Sequence, residues 1–110
     1  MLLDCKFKHL DFSEPLYLYA QGKMEHLMSK VPQGMLSSTY IHLTVSKDKH
    51  QKIVELTIKG ATHQYHVKST SDDYYTSVDM AFAGLKRQVF KQKDRMYERR
   101  RESKRQRRAG

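Results

Sequence analysis

The hydrophobic positions in the first third of the chain follow two different periods. Apolar residues first alternate loosely with polar ones, at Leu2, Leu3, Cys5 and Phe7. This alternation indicates a strand. After Ser13, a good N-cap residue, apolar residues recur every three or four positions, as in an amphipathic helix that tolerates Pro15 in its first turn. We therefore predict a helix to about Lys30, with a buried stripe at Leu16, Ala20, Met24, Leu27 and Val31.

From Thr39 the period changes to two, and three more strands are predicted. Their apolar positions are Ile41, Leu43 and Val45, then Val54, Leu56 and Ile58, then Tyr65 and Val67. Residues 47–50 form a predicted polar turn, and Lys59-Gly60 a predicted tight hairpin turn, because glycine accepts positive φ. Regular alternation of this kind predicts a sheet with one buried face and one polar face.

A second helix is predicted to begin at residues 71–73, where acidic residues complement the positive helix end. Its apolar stripe is Tyr75, Val78, Phe82, Leu85 and Val89, and Arg87, Lys91 and Arg95 stack along the opposite side. The order is therefore β-α-β-β-β-α. This is an α+β fold in which two helices cover one face of a four-stranded sheet, with strands one and two as parallel neighbours.

Composition indicates a small cytoplasmic domain. The chain of 110 residues, 38% hydrophobic and 30% charged, allows one domain and contains no apolar run long enough to span a membrane. A single cysteine excludes an intramolecular disulfide, which fits a reducing compartment, and the charged N-terminus is unlike a secretory signal. We expect residues 1–95 to form the domain and residues 96–110 to fray into a disordered basic arm.

Charge is the strongest functional signal in the sequence. Residues 1–85 carry nine Lys/Arg and nine Asp/Glu, whereas residues 86–110 carry twelve Lys/Arg and three Asp/Glu, which accounts for the whole net charge of +9. A basic arm on a neutral body is typical of proteins that bind a polyanion. The alternative is a solvated tail that only aids solubility, which does not require so many cations.

No residue pattern indicates catalysis or a metal site. The glycines are scattered, so no phosphate-binding loop is present, and no motif ties a histidine to Cys5. His63 and His66 are predicted on opposite faces of a strand, which is poor geometry for one metal ion, and the other histidines lie in separate elements. We expect no enzymatic activity, no cofactor and no small-molecule substrate.

The tyrosines divide into a buried and an exposed group. Tyr65 and Tyr75 fall on core stripes, so packing accounts for them best. The predicted exposed rings could stack on RNA bases, and they are Tyr40, Tyr74 and Tyr97. The exposure of Tyr17 and Tyr19 stays open, as does base stacking itself.

The last helix carries a recognisable pattern. Residues 72–79 (Asp-Asp-Tyr-Tyr-Thr-Ser-Val-Asp) resemble the acidic-Asp-x-Tyr-x-x-hydrophobic-Asp opening found in the ribosome hibernation-promoting factor and ribosome-associated inhibitor family. Residues 85–93 (Leu-Lys-Arg-Gln-Val-Phe-Lys-Gln-Lys) are similar to that family's Leu-x-Arg-Gln-Leu-x-Lys-x-Lys. The order of elements agrees, so the resemblance covers about residues 2–95 in architecture and residues 72–93 in motif.

The resemblance implies a protein bound between the head and body of the small ribosomal subunit, over the mRNA path and the tRNA sites, where it stops translation during starvation. Ribosomal RNA would be the partner, no membrane would be involved, and the chain is expected to be monomeric off the ribosome. The end at Gly110 predicts a short form. Gly84, where the family commonly has Lys, and the Arg-rich tail leave open whether the chain promotes or opposes ribosome dimers, with promotion favoured.

The expected contacts to ribosomal RNA are Arg87, Lys91, Lys93, Arg95, Lys86, Arg99, Arg100 and Arg101, with Lys23 and Lys30 of the first helix as weaker candidates. Asp73 and Asp79 are expected to serve the helix start. Two alternatives remain: a double-stranded-RNA-binding domain, which usually has Lys where this chain has Asp72 and Asp73, and a protein-interaction module that uses an open sheet edge.

Overall fold

A computed structural model describes residues 3–31, 38–60 and 63–109 and confirms the predicted order of elements. The elements are β1 (Asp4–Phe7), α1 (Glu14–Lys30), β2 (Ser38–Asp48), β3 (Gln51–Gly60), β4 (Gln64–Ser71) and α2 (Tyr74–Ala109). The sheet has the order β1-β2-β3-β4, with β1 parallel to β2 and the other neighbours antiparallel. Both helices pack on one face, as predicted. No helix in the described ranges is long and apolar enough to cross a membrane.

The two hairpin turns lie slightly later than the sequence predicts. Lys47 still pairs with Lys52, and the β2–β3 turn is made around Lys49, whose φ of 57° is left-handed. Gly60 is still part of β3, and its amide donates to the His63 carbonyl at 2.9 Å. The predicted turn at Lys59-Gly60 is therefore wrong, because both residues belong to β3; residues 61–62 lie outside the described residues.

The start of α1 is stabilised by local contacts that the sequence contains. Ser13 is the N-cap, and its hydroxyl accepts a hydrogen bond from the Leu16 amide at 3.4 Å. The residue before the cap, Phe12, packs its ring 5.9 Å from that of Tyr17. This is the position of a hydrophobic staple, which fixes how the chain enters a helix. Phe12 remains 62% exposed in spite of this contact.

The core contains almost every apolar position that periodicity predicts. Both helices and strands β2 to β4 contribute side chains to this core, among them Leu27, Leu43, Leu56, Ile58, Val78 and Leu85. Tyr75 is the exception, because it is 40% exposed and lies on the flank of α2 that faces α1. Tyr74, predicted to be exposed, instead packs partly against the core.

Hydroxyl groups anchor the start of α2 to the sheet. Ser69 of β4 donates to the Ser77 carbonyl at 2.5 Å, and the Ser77 hydroxyl donates to the Lys52 carbonyl of β3 at 2.7 Å. Asp73 caps the helix by accepting from the Thr76 amide at 2.9 Å, as an N-cap carboxylate should. The predicted role of Asp73 at the helix start is therefore confirmed.

The far end of α2 is helical in the structure. The helix continues to Ala109, and the sequence predicts a helix that passes Met96 before its end frays into a basic arm. Arg, Lys, Glu and Gln dominate these residues, and all four are good helix formers, so local propensity here opposes the disorder that high charge favours. The division of the chain at residue 95 stays a prediction.

Candidate nucleic-acid interface

Exposed cations lie along the length of α2. The side chains of Lys86, Arg87, Lys91, Arg95, Arg99 and Arg101 are all exposed. Lys93 is half-buried, and its ammonium lies 5.4 Å from the centroid of the Phe90 ring, which Lys86 also approaches to 5.8 Å. The Arg100 side chain lies outside the described part of the chain. Among the side chains of this helix that the structure describes, the last buried one is Val89.

α1 contributes to the same surface. Lys23 and Lys30 line a shallow groove of about 270 Å³ between the helices, opposite Lys86 of α2. His26 lies between the two α1 lysines and completes that wall. The structure therefore brings the weaker sequence candidates together with Lys86 of α2. Because the groove is built from two packed helices, the backbone positions that carry its cations are fixed before any ligand arrives.

Asp79 couples the two walls of this groove. Its carboxylate accepts from the Tyr19 hydroxyl at 2.5 Å and pairs with the Lys23 ammonium at 3.1 Å. The Tyr19 hydrogen bond holds the pKa of Asp79 below its ordinary value and raises the pKa of Tyr19. The contact with Asp79 raises the pKa of Lys23, so both members of the pair stay charged at neutral pH. Asp79 therefore ties α1 to α2. The expectation from the sequence that it serves the helix start is wrong.

Gly84 has a different role from the one predicted. From the sequence, Gly84 was expected to be a surface position that lacks the lysine common in the family. In the structure it is buried, and a Cβ placed there would lie 2.9 Å from Cγ1 of Val67 in β4. Any side chain at this position would require the Val67 side chain or the helix to shift. The glycine allows α2 to approach β4 closely. The Arg87 guanidinium lies on this flank as well, 3.6 Å from the same position.

The tyrosine predictions have mixed outcomes. Tyr65 is buried, as predicted. Tyr40 is 41% exposed, with its ring stacked on His42 at 5.6 Å and Lys59 over it. Tyr74 is covered by the Lys52 ammonium 5.2 Å from its ring centroid, and the Tyr97 side chain lies outside the described residues. Base stacking stays a prediction for Tyr40.

The groups considered for chemistry do not assemble into a reactive site. Burial, and secondly Asp4, raise the pKa of Cys5 to about 11, which keeps its thiol protonated. His63 approaches Gln92 of α2 at 3.4 Å, whereas His66 bonds Thr57 on the open face of the sheet at 2.9 Å. The two imidazoles thus face opposite sides, as predicted. Among the described residues, no cluster of three or more His, Cys, Asp or Glu could hold a metal ion.

His26 is a member of this surface that was not predicted from the sequence, although its spacing on α1 gives a signal. Lys23, His26 and Lys30 are spaced i, i+3 and i+7, which places them on one stripe of α1. The partnership of Asp79 with Tyr19 had no such signal, because the residues are 60 positions apart in sequence.

Several known proteins are similar to this chain in sequence or in fold. A family model described as Sigma 54 modulation protein / S30EA ribosomal protein matches residues 3–97. A ribosome hibernation promotion factor of Lactococcus lactis subsp. cremoris (strain MG1363) is 28% identical over 89 residues, which are 81% of this chain and 48% of that protein. The chain thus spans about half the length of this curated relative.

Two solved structures share the fold. A ribosomal subunit interface protein from Coxiella burnetii is 26% identical with a TM-score of 0.73, covering 86% of this chain and 99% of that one. The N-terminal domain of Thermus thermophilus Protein Y, 16% identical with a TM-score of 0.67 over 78% of this chain and 91% of that one, supports the fold alone. The resemblance first seen in residues 72–93 is thereby confirmed. Since the family model spans most of the sequence, the chain belongs to the Sigma 54 modulation protein / S30EA ribosomal protein family.

Proposed function

We propose that this chain is a ribosome hibernation factor. It binds the ribosomal RNA of the small subunit on the mRNA and tRNA path and inhibits translation under stress or in stationary phase. Its action is by occupancy in the cytoplasm, without catalysis, cofactor or small-molecule substrate, and the chain is a monomer off the ribosome. Its likeness to the Lactococcus lactis hibernation promotion factor and to the Coxiella burnetii subunit interface protein supports this role.

The observation that carries the proposal is the convergence of cations from two helices. Lys23 and Lys30 on α1 face Lys86 on α2 across one groove, and the exposed row of α2 continues from it. Each cation set against a phosphate releases condensed counterions, so such a surface binds RNA strongly and with little sequence preference. A rigid arrangement suits folded RNA, whose shape and phosphates are recognised more than its base edges.

The start of α2 disfavours the alternative of a double-stranded-RNA-binding domain. Asp73 is engaged as the N-cap and Asp72 beside it is exposed, so two carboxylates stand where such a domain presents cations to phosphates. A simple RNA duplex should therefore bind this chain much more weakly than a ribosomal subunit does.

Cosedimentation with separated ribosomal subunits tests the proposal. We expect the chain to pellet with small subunits. It should fail to bind subunits that have been loaded beforehand with mRNA and initiator tRNA. Replacing Lys30 and Lys86 by Glu should abolish pelleting, because both line the groove. A matched control, Lys47→Glu with Lys49→Glu, makes the same charge change at the exposed end of the β2–β3 hairpin and should bind nearly normally. Pelleting with large subunits alone contradicts the proposal.

A further inference from the structure

The outer edge of β4 forms one side of a second groove, on the flank of α2 that faces away from α1. This groove, about 410 Å³ in volume, is lined by four consecutive strand residues, 67–70, and by three residues of α2. Because consecutive residues of a strand line it, the groove follows the edge of the sheet. A channel between an edge strand and a helix is the shape in which several domains hold an extended peptide.

One half of the β4 edge is capped and the other half is open. The Gln88 side-chain amide donates to the His66 carbonyl at 3.3 Å, so the peptide groups of His66 point away from β3. In an antiparallel pair these directions alternate, which turns the amide and carbonyl of Lys68 and Thr70 outward as well. In the described part of the chain, no hydrogen bond reaches those outward groups of Lys68 or Thr70.

The helical side of this groove is apolar with a cation at one end. Met80, Ala83 and Arg87 are spaced i, i+3 and i+7, so they form one stripe of α2. Met80 is 46% exposed, so its side chain is accessible to a ligand that enters the groove. The Arg87 guanidinium lies at the end near Val67.

We propose that this groove binds an extended peptide segment of a partner protein that carries a carboxylate. The segment adds to the sheet as a fifth strand, pairing with the outward groups of Lys68 and Thr70. Its apolar side chains pack on Met80 and Ala83, and its carboxylate pairs with Arg87 in the bidentate geometry that a guanidinium favours. Lys68 and Arg87 are the charged residues among those lining the groove, and no carboxylate lines it, so the groove is complementary to an acidic segment.

A peptide fits these features better than RNA does. The outward groups of Lys68 and Thr70 recur every second residue, at about 7 Å, which is the repeat of another strand. A nucleic-acid backbone carries no matching alternation of donors and acceptors, and an apolar wall contributes little to binding phosphates. The inference goes beyond the proposed function and does not depend on it, because the outward groups of β4 are absent from the lysine-lined groove. The two grooves meet at Ala83, and Arg87 is also a candidate RNA contact, so the peptide and RNA compete for Arg87.

Selection of random twelve-residue peptides displayed on phage, with the whole chain as bait, supplies the probe. We expect enriched peptides that alternate apolar residues and contain Asp or Glu. On addition of one synthetic enriched peptide, the amides of Lys68 and Thr70 should gain at least tenfold protection from hydrogen exchange. The amides of Val67 and Ser69 already face β3, so they should change little and serve as internal controls.

Two substitutions locate the peptide. Thr70→Pro removes an outward amide, which an edge strand tolerates, and should weaken peptide binding about tenfold. Met80→Glu should weaken binding several-fold more than Met80→Gln, because the two side chains match in size and differ by a charge that repels the peptide carboxylate. This comparison remains decisive if Thr70→Pro disturbs the fold.

Three outcomes overturn the inference. The first is that no peptide family is enriched, and the second is that the Lys68 and Thr70 amides gain no protection. The third is that a single-stranded RNA oligonucleotide or a second copy of this chain, rather than the peptide, produces the protection.

Discussion

The two halves of α2 both expose many cations, but they differ in how many of their side chains are buried against the sheet. Within residues 74–93, buried side chains such as Val78, Leu85 and Val89 fix the helix on the sheet. Within residues 94–109 the described side chains, namely Asp94, Arg95, Glu98, Arg99 and Arg101, are all exposed. The packed half is stabilised by tertiary contacts, whereas no described side chain of the distal half is buried, and local propensity by itself rarely sustains a helix in water.

This difference changes what each cation contributes to binding. A charge on the packed half is already positioned, so little conformational freedom is lost when RNA binds. For a charge on the distal half, where every described side chain is exposed, we expect a larger ordering cost, of about 1–2 kcal/mol per residue that becomes fixed. Equal charges should therefore give unequal affinity, and each of the following experiments tests one consequence.

The largest expected effect concerns salt. If the two halves together neutralise about 6–10 phosphates, ribosome affinity should fall by about 10³ to 10⁵ between 50 and 200 mM salt. The slope of log affinity against log salt concentration gives the number of phosphates neutralised. Measuring it for the full chain and for a chain truncated after Arg95 separates the contributions of the two halves. We expect truncation to make the slope shallower while most of the affinity at low salt survives. A flat response of the full chain would mean that protein contacts dominate.

The next effect compares two pairs of charges directly. Arg87→Ala with Lys91→Ala removes two cations from the packed half, and Arg107→Ala with Arg108→Ala removes two from the distal half. We expect the first pair to weaken small-subunit binding by about tenfold, or 1.4 kcal/mol, and the second by only two- to threefold. Translation-inhibition assays at one salt concentration should follow the same order. Equal or reversed losses would show that the fold merely carries the distal charges.

A smaller effect tests how tightly the packed half fits the sheet. Gly84→Ala adds a Cβ 2.9 Å from Val67, and overpacking costs about 1–3 kcal/mol, against a gain of about 1 kcal/mol in helix propensity. We expect a net loss of about 1 kcal/mol in the free energy of unfolding. Gly22→Ala in α1 is the matched control, because a Cβ there meets nothing within 4 Å and should stabilise by about 1 kcal/mol. Urea unfolding of both variants gives the signs, and a stabilising Gly84→Ala would refute the close contact.

The sequence predicted the elements and the core well because those depend on local period. The alternations of β2 to β4 and the stripe of α1 each lie within one segment, so no knowledge of neighbours is needed to find them. The errors fall where two elements meet. Tyr75 is displaced from the core by the α1–α2 contact, Gly84 is turned inward by the approach of β4, and Asp79 bonds a tyrosine on another helix.

The candidate interface was predictable only in part for the same reason. The cations of α2 follow from charge and helical spacing. Their association with Lys23 and Lys30 requires the packing of α1 against α2, which periodicity does not specify. The distal half shows a different difficulty, because its composition favours helix by propensity and disorder by charge, and sequence alone does not rank the two.

The smallest expected effect is on stability, when the distal half is removed. All core residues lie at or before Val89, so truncation after Arg95 removes no buried side chain that the structure describes. We expect the Tm to change by less than about 2 °C, since a loss of 1 kcal/mol would already shift it by about 4–8 °C in a domain of this size. Truncation after Leu85, which also removes Val89, is the contrasting control and should lower the Tm by more than about 8 °C. Far-UV circular dichroism of the same chains adds a separate test, because loss of helical signal on removing residues 96–110 reports how helical they were. A Tm that falls alike in both truncations would place the distal residues in the folded domain and end the distinction between the two halves.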